Sequence, residues 1–123
     1  DEIRKKRDQE QGRSLVLKSN IGVHKIPLNQ LMYVEAQGRK VLYYLANGEE
    51  IVCTDRFSPV CDQLLQYPEF ILAHRSFLVN MNYIRLISTS DMQLQNGTLL
   101  PLAQRRVAEI RKHYLAFQME EIP

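Results

Sequence analysis

Three polar residues in succession, His74, Arg75 and Ser76, interrupt the otherwise apolar run FILAHRSFLVNMNYI at 70–84, and Asn80 and Asn82 follow closely. These residue types could serve nucleophilic catalysis, metal binding or anion recognition. A serine and a histidine work as nucleophile and base only with a carboxylate to orient the ring and an oxyanion hole. The chain has no GxSxG elbow, no HExxH and no phosphate-cradling glycine loop, and most of its five glycines serve turns. The expectation is a protein that is not an enzyme. His24, His74 and His113 stand far apart, and Cys53 and Cys61 match no zinc spacing, so neither metal nor cofactor is expected. Two readings stay open for His74: a histidine hydrogen-bonded to backbone, or a direct ligand contact.

Strand geometry sharpens the question. On a pleated strand Phe70, Leu72, His74 and Ser76 share one face while Ile71, Ala73, Arg75 and Phe77 share the other, so neither face is uniformly apolar. The regular pattern must break near His74. Arg75 could be buried in an ion pair, for which no matched acid is evident, or projected at a strand-to-loop transition. Projection is cheaper, and a projected guanidinium suits forked donation to phosphate or to the O6 and N7 of guanine. A surface salt bridge is the competing structural reading.

The surrounding pattern describes the elements that must hold these groups. SLVLKS and GVHKI flank Asn20 and Gly22 as a hairpin would, Pro27 ends the second strand, and PLNQ reads as a helical turn or loop. LMYVEAQ and KVLYYLA are strands separated by Gly38-Arg39, and Asn47-Gly48 leads into EEIVCT as a further hairpin. Phe57, Val60, Cys61, Leu64 and Leu65 recur at helical spacing, predicting a short helix over 57–66 with Pro59 in its first turn. FILAHRS, YIRLIST and DMQLQ follow as strands, and Asn96-Gly97 turns into TLLPLA. Val107, Ile110, Tyr114 and Phe117 predict a C-terminal helix from about Gln104 to Met119, with Arg111, Lys112 and His113 toward the end where cations suit the helix dipole. Eight to ten short strands with few helices point to a mostly antiparallel β sandwich or partial barrel.

Composition sets outer limits. A chain of 123 residues fits one domain, which buries roughly two thirds of its extended-chain surface. Hydrophobic and charged shares of 45% and 24% are ordinary, and no apolar run approaches the roughly 18 residues of a membrane span. The two cysteines read as free buried thiols in a reducing, cytoplasmic compartment. A net charge of +2 is too small for a global field to identify a nucleic-acid binder, so placement of the charges must decide. Residues 1–13, rich in charge and poor in apolar groups, read as a linker from an upstream domain, with the folded domain over 14–119.

IPLNQLMYVEAQGRKVLYYLANGEEI, FILAHRSFLVNMNYIRLI and MQLQNGTLLPLAQRRVAEIRK together resemble the LytTR DNA-binding domain family, over about residues 14–115. The most specific part is F-x-x-x-H-R-S-x-x-V-N-x-x-x-I, here Phe70, His74, Arg75, Ser76, Val79, Asn80 and Ile84. PLAQR stands where the family usually has P-V-S-R. The resemblance implies an antiparallel β-β-β sandwich of about ten strands, with a short helix and a C-terminal helix, that docks on duplex DNA and inserts loop side chains into major grooves. It implies the output domain of a bacterial transcription regulator in a two-component system, placed after a receiver or sensor domain. Paired direct repeats as the DNA target, a dimer on DNA and no membrane contact belong to the same expectation. Carried over by position, Arg39, Arg75 and Arg105 are the base-contact candidates. Lys40, Ser76, Gln104 and Arg106 are the phosphate-contact candidates, and His74 and Asn80 would support the loops. These three arginines are expected to converge along one edge. The alternative from another class is a β-rich protein-interaction module of a signalling protein, whose arginines solvate its surface.

Overall fold

A computed structural model describes residues 13–121 of the chain. The chain divides into two compact units, one ending at Arg56 and the other beginning at Phe57.

In the first unit, β1 (Ser14–Ser19) and β2 (Gly22–Pro27) form a hairpin in which Leu15 faces Ile26 and Leu17 faces His24 across the ladder. Leu15 and Leu17 are buried while Val16 and Lys18 are exposed, the period-two alternation of a sheet covered on one face. A 3-10 turn at Leu28–Gln30 follows, anchored by the buried Leu28, whose N–H donates to the Arg13 carbonyl at 3.0 Å. Then β3 (Leu31–Gln37), β4 (Lys40–Leu45) and β5 (Glu50–Thr54) run as an antiparallel meander. Val34, Val41, Tyr43, Ile51 and Cys53 form its buried side, and β1 packs on β5.

Two different turns join this meander. Gln37 pairs with Lys40, so Gly38 and Arg39 form a two-residue loop. Gly38 has φ +61° and Arg39 does not have positive φ, the II′ arrangement that continues the twist of the flanking strands. The Asn47-Gly48 connection is a three-residue loop instead. Gly48 N–H donates to the Leu45 carbonyl at 3.0 Å, Leu45 N–H to the Glu49 carbonyl at 2.9 Å, and Glu49 N–H to Asn47 Oδ1 at 2.8 Å. Leu94 to Thr98 repeats the same bonds around Asn96-Gly97, at 2.9, 2.9 and 3.0 Å.

The second unit opens with α1 (Phe57–Leu64), which buries Val60, Cys61 and Leu64 on one face. It stops two residues short of the predicted end: Leu65 is exposed, and Pro68 disfavours helical geometry at Tyr67. β6 (Phe70–His74) and β7 (Phe77–Asn80) form a hairpin; a 3-10 turn at Met81–Tyr83 leads to β8 (Ile84–Ile87), β9 (Asp91–Leu94) and β10 (Leu99–Pro101), an antiparallel meander in the order β8-β9-β10. A final 3-10 turn at Gln104–Arg106 runs into α2 (Val107–Glu121). Ile110 is fully buried, and the Tyr114 hydroxyl donates to the Ile84 carbonyl at 3.3 Å, tying α2 to the start of β8.

The mostly β, antiparallel class of about ten strands with a short helix and a C-terminal helix is the class found. Two details differ. FILAHRS is not one strand: β6 ends at His74, and Phe77–Asn80 returns beside it. The C-terminal α-helix starts and ends later than predicted, spanning Val107–Glu121, so Arg111, Lys112 and His113 lie in its first half and its last turn holds no cation. Their stabilisation by the helix dipole, which fades beyond the terminal turn, therefore falls away. Of the expected linker 1–13, residues 1–12 lie outside the described residues, and Arg13 belongs to the first unit through its bond to Leu28.

Candidate nucleic-acid interface

The break expected near His74 is a two-residue turn. His74 pairs with Phe77, leaving Arg75 and Ser76 between them, and the register slips by one residue at Ala73. Neither turn residue has positive φ, so the turn is not one of the mirror-image types, and the bulge lets the strands close over it. The Ser76 N–H donates to His74 Nδ1 at 3.3 Å. That bond requires Nδ1 to carry no proton, and it folds the turn back on the imidazole. Phe77 lies against the same ring with centroids 5.9 Å apart and planes at 58°, a tilted contact. The Arg75 side chain is left exposed at the apex.

The 3-10 turn that carries Gln104, Arg105 and Arg106 is bonded to the same hairpin. Ala103 N–H donates to the Ala73 carbonyl at 3.0 Å, immediately before His74. Arg106 Nη1 donates to the Leu72 carbonyl, and its Nε lies 3.6 Å from Glu109 Oε2. A guanidinium delivering to a strand carbonyl and a carboxylate at once fixes the turn on β6. Arg106 is thus engaged inside the unit, whereas Gln104 and Arg105 are exposed. Arg75 and Arg105 have no ion pair or side-chain hydrogen bond among the described residues.

In the first unit, Arg39 and Lys40 are exposed at the β3–β4 turn, and the Asp55 N–H donates to the Arg39 carbonyl at 3.1 Å. That bond brings up Arg56, a third exposed cation which the sequence reading passed over. The available signal was a cation two residues after a strand, but only the β4–β5 register, with Lys40 opposite Thr54, shows which turn it neighbours. Of the neighbouring acids, Glu35 accepts from Tyr44 at 3.2 Å and from Gln37 at 2.9 Å, and the exposed Asp55 accepts from the Arg56 N–H at 2.8 Å. Tyr44 is stacked on Tyr33 with centroids 4.4 Å apart, and burial, followed by the charge of Glu35, pushes the pKa of its phenol well above the usual tyrosine range.

Asn80 has a different role from the turn residues. It is fully buried at the opposite end of β7, and its Oδ1 accepts from the Asn82 N–H at 3.0 Å, capping the 3-10 turn Met81–Tyr83. It supports the exit from β7 rather than the Arg75 turn.

No group of three or more potential metal ligands occurs among the described residues, and no helix among them is long and apolar enough to cross a membrane. Both buried thiols are shifted toward the protonated form, Cys61 to about 11, chiefly by burial and then by Asp62.

Residues 22–115 match the family model described as the LytTr DNA-binding domain. Among solved structures, the LytTr DNA-binding domain of a putative methyl-accepting/DNA response regulator from Bacillus cereus is similar, with 27% identity and a TM-score of 0.69. That similarity covers 81% of this chain and 94% of the other. No curated protein matches the chain.

Proposed function

Because the chain belongs to the LytTR family of DNA-binding domains, we propose that it is the output domain of a bacterial transcription regulator and reads major-groove bases with Arg39, Arg75 and Arg105. The observation that carries this reading is the pair of exposed arginines in the second unit. Arg75 and Arg105 ride on two turns bonded to each other through Ala103 and Ala73, and neither guanidinium is engaged elsewhere among the described residues. An exposed guanidinium on a braced turn is a planar forked donor carried on a fixed backbone, and one such bidentate contact to guanine discriminates by roughly 1–3 kcal/mol.

In this reading Lys40, Ser76 and Gln104 set register on phosphates, and Arg56 joins them beside Arg39. Arg106 holds the 3-10 turn on β6 and so positions Arg105. His74 shapes the Arg75 turn by accepting from Ser76, and Asn80 supports the end of β7. The domain would extend over 14–119, with residues 1–13 linking it to an upstream receiver or sensor domain; the response-regulator description of the Bacillus cereus protein supports that context. Paired direct repeats are the target we assign, with two copies bound side by side.

Oligonucleotide selection followed by fluorescence anisotropy tests this. Arg75→Ala should weaken binding to the selected site about ten- to hundredfold while changing binding to random duplex much less, because a base contact carries sequence information and a phosphate contact does not. An equal loss on both duplexes would demote Arg75 to a phosphate contact. With about five phosphates neutralised, log K should fall against log salt with a slope of roughly −4 to −5.

A further inference from the structure

A concave feature of the second unit lies away from the Arg75 turn. It is a groove of about 820 Å³ between α2 and the segment from Leu65 to Leu72. Its floor is apolar: Phe70, Ile71 and Met81 are buried, and Phe117 closes one wall. Its charged groups stand on α2 and the preceding turn. Two of these, Arg106 and Glu109, are paired with each other, and Arg106 is also bonded to Leu72. Lys112 is exposed on the groove lining, without an ion pair among the described residues, and His113 stands next to it.

An apolar floor with one uncommitted cation at its rim matches a particular ligand chemistry. The volume falls within the roughly 300–1,000 Å³ of small-molecule sites, which are mostly apolar with a few placed polar groups. A nucleic-acid phosphate would gain the cation but would leave the floor uncovered. A neutral apolar molecule would cover the floor and leave the ammonium without a partner. We propose that this groove binds an amphiphilic monocarboxylate, its acyl chain laid on Phe70, Ile71, Met81 and Phe117 and its carboxylate on Lys112. The Arg106 guanidinium, already shared between Leu72 and Glu109, keeps its place in the turn. This assignment is independent of how the domain reads DNA.

The test uses the 123-residue chain, nitrogen-15 labelled, titrated with dodecanoate and with dodecylamine below their micelle concentrations. Dodecanoate should give saturable amide shifts at one equivalent, confined to 67–72, Met81 and 109–117, and should bind at least tenfold tighter than the amine. Lys112→Glu should reverse that preference. Ala116→Trp, which places an indole on the groove lining, should weaken dodecanoate at least tenfold with the circular dichroism of the sheet retained; should that variant not fold, the charge reversal at position 112 still decides. Equal affinity for both amphiphiles, shifts scattered over the whole surface, or no saturation would overturn the proposal. So would concentration-dependent shifts of the same amides without amphiphile, which would mean that a second copy fills the groove.

Discussion

The Arg75 side chain is presented by its neighbours more than by its own contacts. His74 accepts from Ser76, Phe77 lies against the imidazole, and the guanidinium stays exposed as a consequence. Arg39 is presented differently, by a glycine. Gly38 has φ +61°, and a Cβ built there meets nothing within 4 Å. The cost of a side chain at that position is therefore purely conformational. Gly38→Ala should destabilise the chain by about 1–2 kcal/mol, the penalty for an L-residue in the left-handed region, without a steric contribution. Urea denaturation checks this: an unchanged midpoint would mean that the turn relaxes to another type at no cost. Arg75 was legible in the sequence because a charge interrupts an apolar run. Arg56 was not, because its proximity to Arg39 exists only once the β4–β5 register closes.

Among the elements, the short turns carry the specificity of the fold. Both Asn-Gly connections close with the same three-residue loop, the asparagine side chain accepting from the N–H two residues later and the glycine taking positive φ. These were readable from the dipeptide alone. The β6–β7 hairpin was not, since Arg75-Ser76 carries no turn signature and works only with a bulge at Ala73. At the far end of β7, Asn80 is buried and caps the 3-10 turn that starts the β8 to β10 meander. Asn80→Ala removes the acceptor of the part-buried Asn82 N–H bond and should cost about 1 kcal/mol, the scale of a lost cap. Chemical denaturation should show that loss while the salt slope of DNA binding stays unchanged. A changed slope would place Asn80 at the phosphates instead.

At the scale of the molecule, burial of weak acids sets a stability profile. Cys61 is raised from 9.0 to about 11, Cys53 is raised in the same direction, and Tyr33, Tyr44 and Tyr83 are raised above 10.0, in every case chiefly by desolvation. A raised value means that the folded state holds its proton more tightly than the unfolded chain. That stabilisation is complete below pH 9 and is lost as pH rises through the Cys61 window of about 9 to 11, with the tyrosines extending the loss further. Thermal melts from pH 7 to 11 should show Tm level up to about pH 8.5 and falling thereafter; a flat Tm would show that the thiols ionise without penalty. The amino-acid order by itself determined the β class, nearly every strand, both Asn-Gly loops and the polar break at His74, because alternation and turn chemistry are local properties of the chain. Only the tertiary structure decided that Arg106 is engaged by Leu72 and Glu109, that Arg105 and Arg75 ride on bonded turns, and that a groove with one free ammonium lies along α2. Apart from the local Arg106–Glu109 pair, these depend on pairing between residues thirty or more positions apart, such as Ala73 with Ala103 and Leu72 with Arg106. No local pattern encodes that pairing, and packing alone selects it.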